Sequence, residues 1–534
     1  MILSLIHWLG LALSMWVVGK VVTQVLDKSN KNEYDFFQNI WIGLVVLVAY
    51  LQAMSLFIGI GSELVWIVWA AVTFFSVIAL FLNRKKRIEW RELIIPKKLL
   101  FASLAIVILS LYSATETVVW YDTYLYHFNM VAWNRDYGVV PGLANLHDRL
   151  GFNSSFHVLA AFSERFVADG GSVFITNGLI MTLLALNYLY IACSRKEKIT
   201  TRVIAILLLP YIAMRINEGE LASLSTDLAM TAMSLVFAMG LIRFPHNYFF
   251  LISCAALLSS IKLSGAVALL IVAIALIWKR DISFTKLVIV GLLGASVMLG
   301  YMWRNVIISG YPLYPSTQLA FPVEWRVPTE EVKLTADTIK GWARMPGRDY
   351  LKSLNGGWFF WIGPWWNRVK NSLEIRVFFL TTVLAIIYHK EIKNKWLLGY
   401  GLGSIFLLLV MAPDLRFGTV FFVLAGVSII ASIMRAWIKD EQIILKSAVV
   451  LCLIFVAWTV LPKIEIDDVR PPIMSYEYQI SKIELVPKTL NDKTVVLSPL
   501  YGDQCGNSPI PCTPYNTRAV MRDVNDISKG FRYE

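Results

Sequence analysis

The sequence predicts an all-α protein that crosses a membrane many times, and three observations lead to that prediction. Of the 534 residues, 57% are hydrophobic and only 16% are charged, whereas soluble domains carry about 25% charged residues. Apolar runs of about 18 to 20 residues recur as far as about position 462, and each can cross a bilayer as a helix. Short basic clusters separate these runs, so the net charge of +12 reflects the positive-inside bias and does not indicate nucleic-acid binding.

The strongest basic cluster, Arg84 to Lys98, sets the predicted orientation. If it lies in the cytoplasm, every later basic turn falls on the same side when the chain has about fourteen spans and both termini outside. Residues 247–278 are short for two spans and long for one, and we predict two short helices that meet at Lys262. The predicted spans lie near 3–20, 39–60, 63–82, 98–113, 171–193, 203–216, 228–243, 247–260, 265–278, 285–302, 375–389, 396–412, 417–435 and 444–462.

This count divides the chain into a membrane body, residues 1–462, and a C-terminal appendage, residues 463–534, on the outer side. Two large loops, 114–170 and 303–374, lie on the same side. Short β-type runs and turn residues predict a small α/β appendage rather than a disordered end. In an oxidising compartment, Cys505 and Cys512 of this appendage can close a small disulfide loop.

Asp122 follows the fourth predicted span by a few residues and lies at the membrane surface. If the segment is helical, Asp122 and Tyr126 share a face by their i, i+4 spacing. A partly desolvated carboxylate in this aromatic stretch suits a general base. The alternative is a solvated or capping aspartate.

Three of the six histidines, His127, His147 and His157, occur in the same loop. Their spacings match no standard metal-ligand pattern, although a divalent cation held with Asp122 is kept open as a cofactor. Substrate-binding and plain structural roles are the other interpretations of these histidines.

Asp227 and Lys262 are charged residues at predicted helix ends. Asp227 opens a span, where it either complements the helix dipole or supplies a second catalytic carboxylate near Asp122. A lysine within the membrane is costly and normally faces a cavity or a partner charge. Lys262 is therefore the residue that most specifically indicates a substrate-binding site.

Arg304 and Arg416 lie at further outer helix ends, in WRNVIISGYPLYP and APDLRFG. With Lys262 they form a set of cations suited to a lipid phosphate or pyrophosphate. Tyr311, in the first of these stretches, joins the substrate-binding candidates. The alternative for Arg416 is an ion pair with Asp414 or a snorkelling side chain.

The tryptophan-rich segment Gly356 to Arg368 belongs to the second outer loop. Anchoring at the membrane interface is the ordinary role of such aromatics. Stacking on a sugar or contact with a lipid tail is the functional alternative.

This constellation resembles the GT-C superfamily of multi-span glycosyltransferases that use polyprenyl-phosphate-linked sugars. Asp122 matches the acidic residue of their first outer loop, with Glu116 a weaker match, and no adjacent acidic pair is present. The chain also resembles a family of bacterial membrane proteins of GT-C-like architecture, and this resemblance brings no established reaction with it. The matching stretches are DTYLYH, VPGLANLHDRLGFNSS, STDLAM, IKLSG, RNVIISGYPLYP, APDLRFG and QCGNSPIPCTPY.

The resemblance implies an enzyme of the bacterial inner membrane with its site facing the periplasm. It would transfer a sugar from a polyprenyl-phosphate donor to a glycan or lipid-linked acceptor, with Asp122 as base and the cations on the leaving phosphate. A polysaccharide polymerase or ligase acting on polyprenyl-linked glycans needs the same residues and stays open. A transporter would show inverted repeats and charges at midplane, and an assembly role would not depend on Asp122.

Overall fold

The computed structural model describes residues 2–26, 34–82, 97–163, 175–278, 284–347, 349–459, 481–490 and 494–534. Most of the basic cluster used for orientation, the turn 279–283, residues 164–170 of the first loop and residues 463–480 of the tail lie outside these ranges. The described helices are α1 (Ile2–Leu26), α2 (Phe36–Ser55), α3 (Glu63–Leu82), α4 (Lys97–Ser113), α5 (Phe128–Asp136), α6 (Leu143–Leu146), α7 (Ser155–Ser163), α8 (Ile175–Cys193), α9 (Ile199–Ile216), α10 (Thr226–Arg243), α11 (Tyr248–Ile261), α12 (Ala266–Trp278), α13 (Phe284–Ser309), α14 (Thr329–Arg344), α15 (Lys352–Asn355), α16 (Gly357–Val369), α17 (Leu373–Ile387), α18 (Lys395–Met411), α19 (Thr419–Trp437) and α20 (Glu441–Thr459).

Apolar helices make this chain a multi-pass membrane protein. Within the described ranges, eight helices are long and apolar enough to cross a bilayer: α1, α2, α3, α8, α9, α10, residues 287–309 of α13, and α19. Four shorter apolar helices lie at 100–113, 248–261, 263–278 and 395–411. Each predicted span coincides with a helix, and the count of fourteen spans stays a prediction.

Two predicted segments have clear outcomes. The short helices α11 and α12 do meet at Lys262, because the chain leaves α11 there in an extended conformation before a single 3₁₀ turn. The predicted outer loop 303–374 contains helices of its own. Helix α13 continues to Ser309, and α14, α15 and α16 follow, since the polar residues of α14 occupy one face of an amphipathic helix.

Helices α1 and α2 cross at unusually short range. A Cβ on Gly19 would lie 1.8 Å from the Asn39 carbonyl oxygen, and one on Gly43 would lie 1.8 Å from that of Met15. Only glycine allows the two backbones to approach so closely, as is common between helices in membranes. This crossing packs α1 against the central helix α2.

Polar and charged contacts show that several helix ends lie together at one end of the bundle, which we call the Arg243 end. The guanidinium of Arg243 lies 2.8 Å from Asp35, just before α2, and its Nε donates to Glu197, in the α8–α9 turn, at 2.9 Å. Tyr34 donates to Asn247 at 3.0 Å. The start of α2, the α8–α9 turn and the α10–α11 turn therefore share one end, which is the side predicted to be cytoplasmic.

A second hydrophobic core lies at the opposite end, where the first loop, the α13–α14 segment and the tail pack together. It includes Trp133, Tyr311, Val332 and Phe531, all fully buried. In the tail, strand β1 (Leu485–Thr489) pairs antiparallel with β2 (Val495–Pro499), and β3 (Ala519–Met521) pairs with β4 (Phe531–Tyr533). The α component expected for the appendage is absent from residues 481–490 and 494–534, which are rich in turn-forming residues and form only strands, loops and one 3₁₀ turn.

Candidate functional site

Four charged side chains from separate helix ends meet at the end opposite Arg243. Lys262 Nζ lies 2.5 Å from Asp227 Oδ1, and Arg416 Nη1 lies 3.0 Å from Asp122 Oδ2. Arg416 Nε is also 3.6 Å from Asp227 Oδ2, so Arg416 lies between the two carboxylates. We call Asp122, Asp227, Lys262 and Arg416 the charged cluster. Beneath its cations lies the ring of Phe417, whose centroid is 3.7 Å from Lys262 Nζ and 4.9 Å from Arg416 Cζ.

Each member of the cluster lies at a helix end or in a turn between helices. Asp122 precedes a π-helical turn, Thr123–His127, and makes no capping hydrogen bond with it; such turns are frequent at functional sites. The backbone N–H of Asp227 donates to Ser225 at 3.2 Å, which caps α10. Lys262 ends α11, and Arg416 lies in the 3₁₀ turn between α18 and α19.

These contacts decide two of the alternatives raised by the sequence. Asp122 is neither a capping residue nor a fully solvated one, since its side chain is 17% exposed and pairs with Arg416. Asp414 accepts the backbone N–H of Arg416 at 3.0 Å, but the guanidinium turns toward Asp122 and Asp227.

The cations form the accessible face of the cluster. The side chains of Arg416 and Lys262 are 35% and 28% exposed, compared with 6% for Asp227. Arg416 Nε is itself buried and has no hydrogen-bond partner among the described residues, so the exposed part of this side chain lies elsewhere on the guanidinium or its stem. Burial opposes the charge of Arg416, yet Asp122 and then Asp227 hold its pKa above the ordinary value. An anion approaching the cluster would therefore meet permanently charged donors first.

Two buried, uncharged histidines lie beside the charged cluster. The rings of His127 and His157 lie 5.0 Å apart, and His157 Nε2 donates to the Leu224 carbonyl at 3.3 Å. Burial, followed by the charges of Arg416 and Lys262, holds the pKa of His127 well below its ordinary value. Burial also lowers the pKa of His157 well below the ordinary value. Both rings are uncharged at neutral pH.

His147 lies in a different setting from the other two histidines. Its Nδ1 lies 3.1 Å from Asp148 Oδ1 and 3.1 Å from the backbone nitrogen of Arg149, and its ring is 4.9 Å from that of Tyr515 in the tail. Within the described ranges, no group of three or more His, Cys, Asp or Glu side chains is placed to hold a metal ion. The divalent cation stays a prediction without a site.

Arg149 is a cation that the sequence reasoning missed. Burial opposes its charge, but Asp148, followed by Tyr126, Tyr515 and Asp122, holds its pKa above the ordinary value. Arg149 thus acts on Tyr126 and Asp122 without belonging to the charged cluster. Its position after His147 and Asp148 in a loop gave no sign of this.

A buried acidic group behind Asp227 was also missed. Glu220 is fully buried and accepts hydrogen bonds from Arg215 and, at 2.6 Å, from Ser225. Burial raises the pKa of Glu220, and Asp227 adds to the effect while Arg215 opposes it. Because Ser225 contacts both Glu220 and the backbone of Asp227, this group supports the start of α10. Two glutamates just after an apolar run were the available signal.

Arg304 and Tyr311 do not join the cluster. Arg304 is 1% exposed and donates to Asn153 at 3.0 Å, to Asn134 at 2.6 Å and to Ser55. These partners are uncharged, and no ion pair involves Arg304 among the described residues, so the predicted set of three cations is reduced to two. Tyr311 is buried in the second core, where its hydroxyl donates to the Val327 carbonyl at 3.0 Å. Its predicted contact with substrate has no exposed surface to support it.

The tail contacts the segment that carries Asp122. The backbone N–H of Gly506 donates to the Tyr124 carbonyl at 2.7 Å, and Asn129 Nδ2 donates to the Gly506 carbonyl at 3.0 Å. Gln504 Nε2 donates to the Tyr121 carbonyl at 3.0 Å. Cys505 and Cys512 are joined in the disulfide that the sequence allowed. Residues 504–506, which we call the tail clamp, thus hold both sides of Asp122.

The fold and the cluster define a multi-pass membrane protein with a paired set of charges at one end of its helices. Residues 1–423 match the family described as "Domain of unknown function (DUF8201)", and the chain belongs to that family. All four cluster residues lie within the matched range, and the tail clamp lies beyond it. No curated protein and no solved structure matches the chain.

Proposed function

We propose that the protein is an integral-membrane glycosyltransferase. It moves a sugar from a polyprenyl-phosphate donor to a glycan or lipid-linked acceptor at the periplasmic face of a bacterial inner membrane. The observation that carries this proposal is the contact of Arg416 with Asp122, in a cluster whose accessible face is cationic. It combines a candidate base with donors for a phosphate.

The residues of the charged cluster can supply both the proton acceptor and the cations that this reaction needs. Asp122 accepts the proton of the acceptor hydroxyl while that oxygen bonds to the anomeric carbon. The bond from this carbon to the phosphate oxygen breaks, and the electron pair leaves with the lipid phosphate. Arg416 and Lys262 stabilise the charge on that leaving group.

The resting ion pair suggests an order of events. In the resting state, Asp122 Oδ2 is engaged by Arg416 at 3.0 Å, so this oxygen is not free to meet an acceptor hydroxyl. A donor phosphate offers the guanidinium a stronger, bidentate partner. Donor binding would then release Asp122, so the base is active only when donor is present.

Asp227 has a supporting role in this proposal. Its side chain is 6% exposed and contacts both Lys262 and Arg416, which keeps the two cations near each other before donor arrives. A transporter would place such charges at the middle of its helices. Their location at helix breaks on one end supports surface chemistry instead.

The test is donor turnover by purified protein. Parent, Asp122→Asn and Asp136→Asn proteins are incubated with a panel of polyprenyl-phosphate sugars, and released polyprenyl phosphate is measured. Asp136 is the matched control, since it lies in the same loop and pairs with Arg135 at the surface. We expect the parent and Asp136→Asn to react, and Asp122→Asn to lose about 10²- to 10⁴-fold.

Two results would oppose the proposal. Equal turnover by Asp122→Asn and parent, with both correctly folded, would remove Asp122 from the role of base. No turnover by the parent across the whole panel would favour a polymerase, a ligase or a transporter.

A further inference from the structure

A groove of about 580 Å³ lies where α16 meets the beginning of α17, away from the cluster residues. It is lined by Trp366, Lys370, Ile375, Arg376 and Phe379. The Trp366 and Phe379 rings pack edge to face with centroids 5.3 Å apart. The groove therefore combines aromatic side chains with two cations, and it is open rather than enclosed.

Both cations of the groove lack an anionic partner among the described residues. Lys370 Nζ donates to Asn367 at 2.8 Å, and Arg376 Nη2 donates to Asn371 at 2.9 Å. Lys370 and Arg376 are both exposed. Two neighbouring cations with only neutral partners favour a ligand that carries negative charge.

The surface below Arg376 is apolar. Phe379 lies one helical turn further along α17, and Leu380, Val383 and Ile386 continue the same exposed stripe, each at least half exposed. Residues 375–389 are one of the predicted spans, and on a spanning helix such a stripe faces lipid chains. Charge at the top and hydrocarbon below match the polarity of a lipid molecule.

Helix α16 gives the groove its place at the membrane surface. Phe359 is 93% exposed on one side of α16, whereas Trp361 and Trp365 are buried on the other. Exposed aromatic side chains of this kind are enriched at the membrane–water interface. Trp365 Nε1 donates to the Pro413 carbonyl, three residues before Arg416. The groove is thus at the same end of the molecule as the charged cluster.

We propose that this groove binds an anionic phospholipid of the surrounding bilayer. Its headgroup phosphate lies between Lys370 and Arg376, and one acyl chain follows Phe379 and the stripe of α17. The open shape of the groove favours a lipid that enters sideways from the bilayer over a ligand that must be enclosed. The site does not depend on sugar transfer.

The test measures lipid retention by the full-length protein in detergent with native mass spectrometry. The probes are phosphatidylglycerol, phosphatidylcholine and polyprenyl phosphate. Lys370→Gln/Arg376→Gln is compared with Lys333→Gln/Lys340→Gln, which removes the same charge from the neighbouring α14. We expect the parent and the control to retain phosphatidylglycerol over phosphatidylcholine, and the groove variant to retain about tenfold less.

Three outcomes would overturn the assignment. Equal retention by the groove variant and the control would separate binding from these cations. Equal retention of the two phospholipids by the parent would show that the groove does not select its lipid by headgroup charge. Binding of polyprenyl phosphate that phosphatidylglycerol cannot displace would assign the groove to an isoprenoid lipid. No sugar is present, so this test is independent of glycosyl transfer.

Discussion

Arg416 Nη1 lies 3.0 Å from Asp122 Oδ2 and thereby joins the turn between α18 and α19 to the segment that follows α4. The same guanidinium is 3.6 Å from Asp227 at the start of α10. The Arg416 side chain therefore links the α18–α19 turn, the segment after α4 and the start of α10. Substitutions at Arg416 test both the chemistry and the assembly of the cluster.

Replacing Arg416 with lysine should keep the charge at this position but lower the activity. A lysine presents one ammonium group, which cannot reach both carboxylates and a bidentate phosphate in the manner of a planar guanidinium. We expect Arg416→Lys to lower kcat/KM for the donor by about 10- to 100-fold. Steady-state kinetics over a range of donor concentration would measure it, with Arg435→Lys, at the far end of α19, as the control. Unchanged kinetics in Arg416→Lys would mean that charge alone is sufficient.

Replacing Lys262 should cost stability as well as activity. Its removal leaves Asp227, with a side chain only 6% exposed, without its closest partner. The loss of a partner from a fully buried ion pair costs about 3–5 kcal/mol, and the 28% exposure of Lys262 reduces our expectation for Lys262→Gln to about 1–3 kcal/mol.

A double-mutant cycle checks this interpretation. Lys262→Gln, Asp227→Asn and the double variant are compared by thermal unfolding in detergent. The double variant should be less destabilised than the sum of the two single variants, because neither residue is then left as an unpaired charge. Strict additivity would show that the 2.5 Å contact contributes no coupling.

Acid should destabilise the region around the neutral histidines. The pKa values of His127 and His157 are well below the ordinary 6.5 in the folded protein. The unfolded chain therefore takes up protons first as the pH falls through 6.5. Their stabilising contribution is complete above that value and is lost below it, by up to about 1.4 kcal/mol per pH unit for each ring.

Unfolding measured between pH 7.5 and pH 5.5 would check this dependence. His127→Gln/His157→Gln should show a smaller change in melting temperature across that range than the parent. His389→Asn, which alters an exposed histidine at a helix end, should retain the full change. An identical pH dependence in the parent and the double variant would assign the effect to other groups.

Loss of the tail disulfide should lower activity without unfolding the membrane body. Cys505 directly precedes Gly506, which exchanges hydrogen bonds with Tyr124 and Asn129. In Cys505→Ser/Cys512→Ser the tail clamp loses its covalent closure, so the segment of Asp122 is held less firmly. We expect a fall in kcat of about tenfold, while Cys193→Ser, at a free cysteine, should behave as the parent. A fall in expression without any change in kcat would indicate a purely structural bond.

The sequence indicated all four residues of the charged cluster, because each is a charge at the border of an apolar run. Such a position is costly unless a partner is present, and that cost can be inferred without a structure. The same signal failed for Arg304. Amide and hydroxyl partners from distant segments satisfy it, and the sequence around an arginine does not show whether its partners are charged.

Other parts of the site depend on contacts that leave no local pattern. Glu220 and Arg149 resemble ordinary loop charges until Arg215 and Tyr126 are placed beside them. Helices α14 and α16 fall within the predicted outer loop 303–374, because neither contains an apolar run of about 18 residues that would predict a span. The division at Lys262 could be predicted, since residues 247–278 are long for one span and a single span would place the later basic turns on the outer side.

The tail clamp also fixes when the site can be completed during biosynthesis. Helices enter the membrane as the ribosome makes them, and residues 504–506 follow α20 in the chain. The hydrogen bonds to Tyr121, Tyr124 and Asn129 therefore form only after the helices that supply Asp122, Asp227, Lys262 and Arg416 have all been synthesised. A nascent chain arrested just after α20 would carry every residue of the charged cluster but would not yet hold the turn beside Asp122.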